Sequence, residues 1–113
     1  MSAIDDQITN FYNHMTSLSW ELDNYTKWMA SYESQRNKYP DWVTKDGQHI
    51  KVRDIMDSHL ENLIPFVSKK DPDNETHWLD VLKAEKRYRE LTKKLPQMKV
   101  ELAHMREVSD LCL

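Results

Sequence analysis

Glycine is nearly missing from this sequence: Gly47 is the only one in 113 residues. A single glycine cannot build the loops that cradle phosphates in P-loop or dinucleotide-binding proteins, so those nucleotide folds are excluded. One cysteine, Cys112, excludes an internal disulfide and any paired-cysteine metal motif, and it reads as an incidental thiol beside the chain end. No stretch approaches the roughly 20 consecutive apolar residues of a membrane span. The opening Met-Ser-Ala-Ile-Asp-Asp lacks the basic start and apolar run of an export signal, so a cytoplasmic location is expected. A net charge of -3 gives no global case for binding duplex DNA. The mean hydropathy is low at -0.83, yet 39% of residues are hydrophobic and 10% aromatic, which argues against disorder.

Two heptad ladders dominate what is present. Ile4, Ile8, Phe11, Met15, Leu18, Leu22, Tyr25, Met29 and Tyr32 follow one another in alternating steps of four and three. This spacing predicts a long helix over 3–37, about 50 Å at 1.5 Å per residue, with Ser2 and Asp5 as its start signal. Val81, Ala84, Tyr88, Leu91, Leu95, Met98, Leu102 and Met105 repeat the pattern. They predict a second long helix over 72–111, capped by Asp71, with Pro72 in its first turn and a kink near Pro96. Phe11, Met15, Leu18 and Leu22 on the first ladder and Leu91, Leu95, Met98 and Leu102 on the second are the expected core or oligomer seam.

The ladders suit either an antiparallel hairpin or an inter-chain bundle. Residues 1–36 carry five carboxylates against two bases, and 83–99 carry seven bases against two carboxylates, which favours mutual packing. Trp20, Trp28, Trp78, Leu79 and Leu82 lie off the seams. They either bury a second surface in a homo-oligomer or cover the segment between the helices.

Gly47 falls within that segment. Val43-Thr44 and His49-Ile50-Lys51-Val52 have the β-branched content of strands, and Asp46-Gly47 between them signals a two-residue hairpin turn. That turn would pair Thr44 with His49, Val43 with Ile50 and Trp42 with Lys51. Val43, Ile50 and Val52 would then share an apolar face, and Trp42, Thr44, His49 and Lys51 a mixed one. A short helix through Ile55, Met56, His59, Leu60, Leu63 and Ile64 follows, capped by Asp54 or Asp57 and limited by Pro65. The expected fold is therefore mainly α, a single domain with a ββα module over 41–66 between two long helices.

Trp42, Thr44, Asp46, Gly47, Ile50, Val52, Asp54, Ile55, His59, Leu60 and Asn62 form the pattern W-x-T-x-D-G-x-x-I-x-V-x-D-[IM]-x-x-x-H-L-x-N. This pattern resembles a segment recurring in small uncharacterised bacteriophage proteins. The resemblance covers residues 42–62 and neither long helix. It implies a phage origin and no particular activity, and phage proteins of this size often bind and disarm host systems.

Chemistry-bearing constellations are few. The histidines at 14, 49, 59, 77 and 104 form no H-x-x-x-H pair, so no metal site is expected. No nucleophile elbow accompanies a base, and neither catalysis nor a cofactor is expected. The strongest candidate is electrostatic. Lys83, Lys86, Arg87, Arg89, Lys93 and Lys94 bracket Tyr88, an arrangement suited to clamping phosphate while an aromatic stacks a base. Trp42, His49, Lys51 and Arg53 form a second candidate face. The first set more often forms an ordinary solvated helix face beside a core tyrosine, and in the second Trp42 would simply pack on a neighbouring helix end. The expectation is a non-enzymatic, oligomeric counter-defence protein that sequesters a nucleotide-type signal or blocks a host protein. The alternative is a structural or adaptor coiled coil.

Overall fold

The computed structural model describes residues 3–112; Ser2 and the Cys112 side chain lie outside the described residues. Three helices and one hairpin follow in the order α1 (Ala3–Arg36), β1 (Trp42–Val43), β2 (His49–Ile50), a 3-10 turn (Val52–Asp54), α2 (Asp57–Lys70) and α3 (Trp78–Cys112). The chain is thus mainly α, with a small antiparallel hairpin and a short helix between two long helices. It divides into two compact units: Met1–Trp28 with Leu91–Leu113, and Met29–Glu90.

The first unit is a helix pair. Asp5 and Asp6 in the first turn of α1 complement the positive end of its dipole. On α3, Leu91, Leu95, Met98, Leu102 and Met105 are all buried, in unbroken three/four spacing. Across from them Leu18 is buried, while Phe11, Met15 and Leu22 are half-buried. Tyr12 Oη lies 3.3 Å from Ser109 Oγ, His14 Nε2 lies 3.2 Å from Glu101 Oε1, and the Lys94 ammonium sits 5.6 Å from the Tyr25 ring centre. Rising numbers on α1 meet falling numbers on α3, so the pairing is antiparallel and within one chain.

Pro96 lies inside a continuous α3, and Pro65 inside a continuous α2. Each removes one helical hydrogen bond, but both sit on exposed faces where water reaches the backbone. Pro65 therefore does not limit α2, which runs on to Lys70.

The second unit holds the module. Arg36 ends α1 because Pro40 forces the preceding residue out of helical geometry shortly afterwards. The hairpin pairs Trp42 with Ile50 and Val43 with His49, one step from the expected register. Gly47 N–H donates to the Thr44 carbonyl at 3.0 Å, and Thr44 N–H donates to the Gln48 carbonyl at 3.0 Å. Only Gly47, with φ at +79°, has positive φ in the turn. The loop is therefore three residues long, a tight turn through Lys45 and Asp46 followed by a left-handed glycine. One extra loop residue exchanges the faces: Trp42 and Ile50 turn inward, while Val43 is 51% exposed.

Ile55, Leu60, Leu63, Val67 and Leu82 form the core of this unit, with Trp42, Ile50, Ile64, Trp78 and Leu79 packed around it. Trp42 meets Trp78 edge to face at 5.2 Å. Trp78, Leu79 and Leu82 thus cover the module. No side chain caps α2: Met56 holds the cap position, and Asp57 lies in the first turn.

The last helix begins at Trp78, six residues later than expected, because Asp71 organises a loop instead of capping a helix. Its carboxylate accepts from the Glu75 and Thr76 amides at 2.9 and 3.0 Å and from the Thr76 hydroxyl at 2.5 Å. Asn74 and His77 take left-handed φ values of 54° and 62° to close the loop. The Thr76 hydroxyl and amide hold the Asp71 carboxyl below its usual range.

Candidate binding site

In the second unit α3 presents two buried faces. Val81, Ala84 and Tyr88 are only half-buried, whereas Leu82 and Glu85 are fully buried. A carboxylate without solvent needs charge and hydrogen bonds to hold it. Arg36 of α1 supplies a two-pronged clamp, donating from Nε to Oε1 and from Nη2 to Oε2, each at 2.8 Å. The Tyr32 hydroxyl donates to Oε1 at 2.9 Å, and Arg89 Nε donates to Oε2 at 2.7 Å. Arg89 then reaches the module through Asp57 Oδ1 at 2.8 Å and the carbonyls of Val52 and Arg53 at 3.2 and 3.4 Å.

Two guanidiniums and two carboxylates therefore balance one another. Burial opposes the Arg89 charge, but its bonds to Glu85 and Asp57 outweigh that effect and raise its pKa further. Burial first, and Glu85 second, push the Tyr32 phenol well above its ordinary value. Tyr39 is raised for the same two reasons.

This cluster decides what becomes of the basic helix face. Arg89 is mostly buried and clamps internal carboxylates. The Lys86 ammonium lies 3.7 Å from Glu61. Tyr88 donates to Glu33 at 2.5 Å and has the Arg36 guanidinium 4.7 Å from its ring centre, so its face is already covered. The hydrogen bond to Glu33, followed by burial, raises the Tyr88 pKa. Arg87 is exposed on α3.

The hairpin set is likewise dispersed. His49 Nδ1 lies 4.0 Å from Asp41, Arg53 donates to Asn37 at 3.0 Å, and Lys51 is exposed. The Arg53 carbonyl joins the two sets, at Arg89.

A different concavity forms between the hairpin and α2. Trp42, Val43, Thr44 and Lys45 make one wall and His59, Asn62, Leu63 and Phe66 the other, around about 570 Å³. The α2 wall follows from helical spacing, since 59, 62, 63 and 66 lie on one face. Phe66 is 47% exposed there. Among the described residues, Lys45 is the one fixed charge in the lining and no carboxylate lines it. The last turn of α2 adds Lys69 and Lys70. Of these residues, sequence reasoning named only Trp42 as a ligand contact. The exchanged hairpin register hid the partnership of Trp42 with α2, while the i, i+3, i+7 spacing of His59, Asn62 and Phe66 was a readable signal.

Glu85 was missed for a related reason. It lies one step off the expected ladder, and only the packing of the module against α3 makes that position internal. Among the described residues, no group of three His, Cys, Asp or Glu side chains is placed to hold a metal ion, and no helix is long and apolar enough to cross a membrane. No family model, curated protein or solved structure matches this chain.

Proposed function

We propose that this chain is a non-enzymatic binding protein of the phage counter-defence kind that blocks a host protein by docking one of its segments between the hairpin and α2. The observation that carries this reading is a contrast in charge. Arg89 and Lys86, the residues best suited to phosphate, already face Glu85, Asp57 and Glu61, whereas the groove beside Trp42 and Phe66 mixes apolar side chains with Lys45, and no carboxylate among the described residues lines it. Such a surface suits a segment with one aromatic or aliphatic anchor flanked by acidic residues. The anchor fills the space between Phe66 and Val43, and the acids meet Lys45 and the basic end of α2. The phage assignment rests on the resemblance over 42–62, four of whose residues, Trp42, Thr44, His59 and Asn62, line this groove.

Peptides carrying one Trp, Phe or Leu between acidic residues test the reading against basic-flanked counterparts and a panel of cyclic nucleotides. Binding of the acidic set, weakened by salt and abolished by Phe66→Asp, is the expected result. Nucleotide binding lost on Arg87→Ala, with no peptide bound, would return the function to signal sequestration.

A further inference from the structure

The helix pair of the first unit is covered unevenly. Five apolar residues of α3 are buried, yet on α1 Ile4 is 66% exposed, Ile8 38%, and Met15 and Leu22 are half-buried. The α1 stripe is thus wider than the surface α3 offers it. Met15 also belongs to a groove of about 510 Å³ lined by Thr16, Ser19, Trp20 and Asp23 of α1 and Leu102 and Arg106 of α3. Trp20 is 69% exposed at its edge, a large apolar side chain left in water.

The charges of this groove suggest what covers it. Because the helices run antiparallel, Arg106 flanks the Met15 end and Asp23 closes the other, with the small Ser19 near the middle. A surface with an acid at one end, a base at the other and a small residue at its centre is complementary to itself under a two-fold rotation. We infer that this groove is a homodimer interface in which a second copy packs across Ser19, each Asp23 meets the partner's Arg106, and each Trp20 enters the opposing groove. Asp23 is bound in its own helix to Lys27 at 2.9 Å, an exposed pair that yields readily to a less hydrated partner. The inference is independent of the hairpin groove, which lies in the other unit.

Sedimentation equilibrium of the full chain tests it. The wild type should sediment as a dimer, and Trp20→Ala should weaken association by at least about tenfold, as expected when an interface loses a central aromatic anchor. Asp23→Arg and Arg106→Asp should each weaken it about tenfold, and the double variant should restore it, since the reversed charges again meet across the axis. Circular dichroism should stay unchanged throughout, because the substituted side chains are exposed. A monomer at all concentrations up to about 100 μM, where even weak specific pairs associate, would overturn the proposal. A dimer indifferent to Trp20→Ala would do so too, as would a double variant no better than the singles.

Discussion

The two units answer the same demand, a filled interior, with opposite chemistry. In the first, α3 sets Leu91, Leu95, Met98, Leu102 and Met105 against α1, with the Tyr12–Ser109 and His14–Glu101 contacts beside that apolar seam. In the second, a carboxylate occupies the position a leucine would take, held by Arg36, Arg89 and Tyr32. Each interior tolerates a different degree of change. An apolar seam tolerates small shifts, because methyl groups pack in many arrangements. A buried carboxylate tolerates few, because each partner lost leaves charge without compensation. Arg89 joins α3 to Asp57 and to the backbone at 52 and 53, so the Glu85 cluster fixes the hairpin and α2 on the helix that carries them.

Breaking that contrast should be most costly at its centre. Glu85→Ala leaves two mostly buried arginines without the carboxylate they share and should destabilise the second unit by about 3–5 kcal/mol, measured by urea unfolding. Arg36→Ala should cost a similar amount. Arg89→Ala should therefore act through the fold and is no test of ligand contact. In the first unit, Leu95→Ala or Leu102→Ala should cost about 2–4 kcal/mol, less than the ionic lesion because the neighbouring methionines relax into the space.

The phenols of the second unit respond to the same buried carboxylate. Tyr32, Tyr39 and Tyr88 have raised pKa values. Their neutral forms stabilise the folded state below the ordinary phenol pKa, and that contribution is lost as pH rises through the folded values. An absorbance titration should show Tyr32, Tyr39 and Tyr88 ionising later in the folded protein than in denaturant.

Asp71 works with the opposite sign. Its folded pKa is depressed, so its contribution is present above the ordinary carboxyl pKa of about 4 and is lost as pH falls through the folded value. Amide exchange at Glu75 and Thr76 should accelerate there before the helices respond. The smallest effect is expected at the turn. Gly47→Ala finds open space around the added carbon but must hold φ at +79°, a conformational cost of about 1 kcal/mol.

The long helices were legible because a heptad repeat needs only its own spacing to be read. The module was legible in kind but not in register, since Asp46-Gly47 serves a two-residue and a three-residue loop equally well and only the backbone at Asp46 separates them. The late start of α3 was hidden because Asp71 followed by proline marks a helix cap and a loop anchor alike. The Glu85 cluster joins residues 32, 36, 57, 85 and 89, which no local pattern relates. The groove inherits both limits, since Trp42 faces it only in the observed register and α2 extends past Pro65 to complete it.

Arg36 and Arg89 of the second unit are held by the buried Glu85 carboxylate, and recognition belongs to the surface between the hairpin and α2. Amide and side-chain chemical shifts of the labelled protein, followed during titration with an acidic, aromatic-bearing peptide, test it most directly. Shifts centred on Lys45, His59, Asn62 and Phe66, with Lys86, Arg87 and Arg89 unmoved, are predicted. Shifts centred on Lys86, Arg87 and Arg89, or a groove silent to every peptide offered, would contradict it.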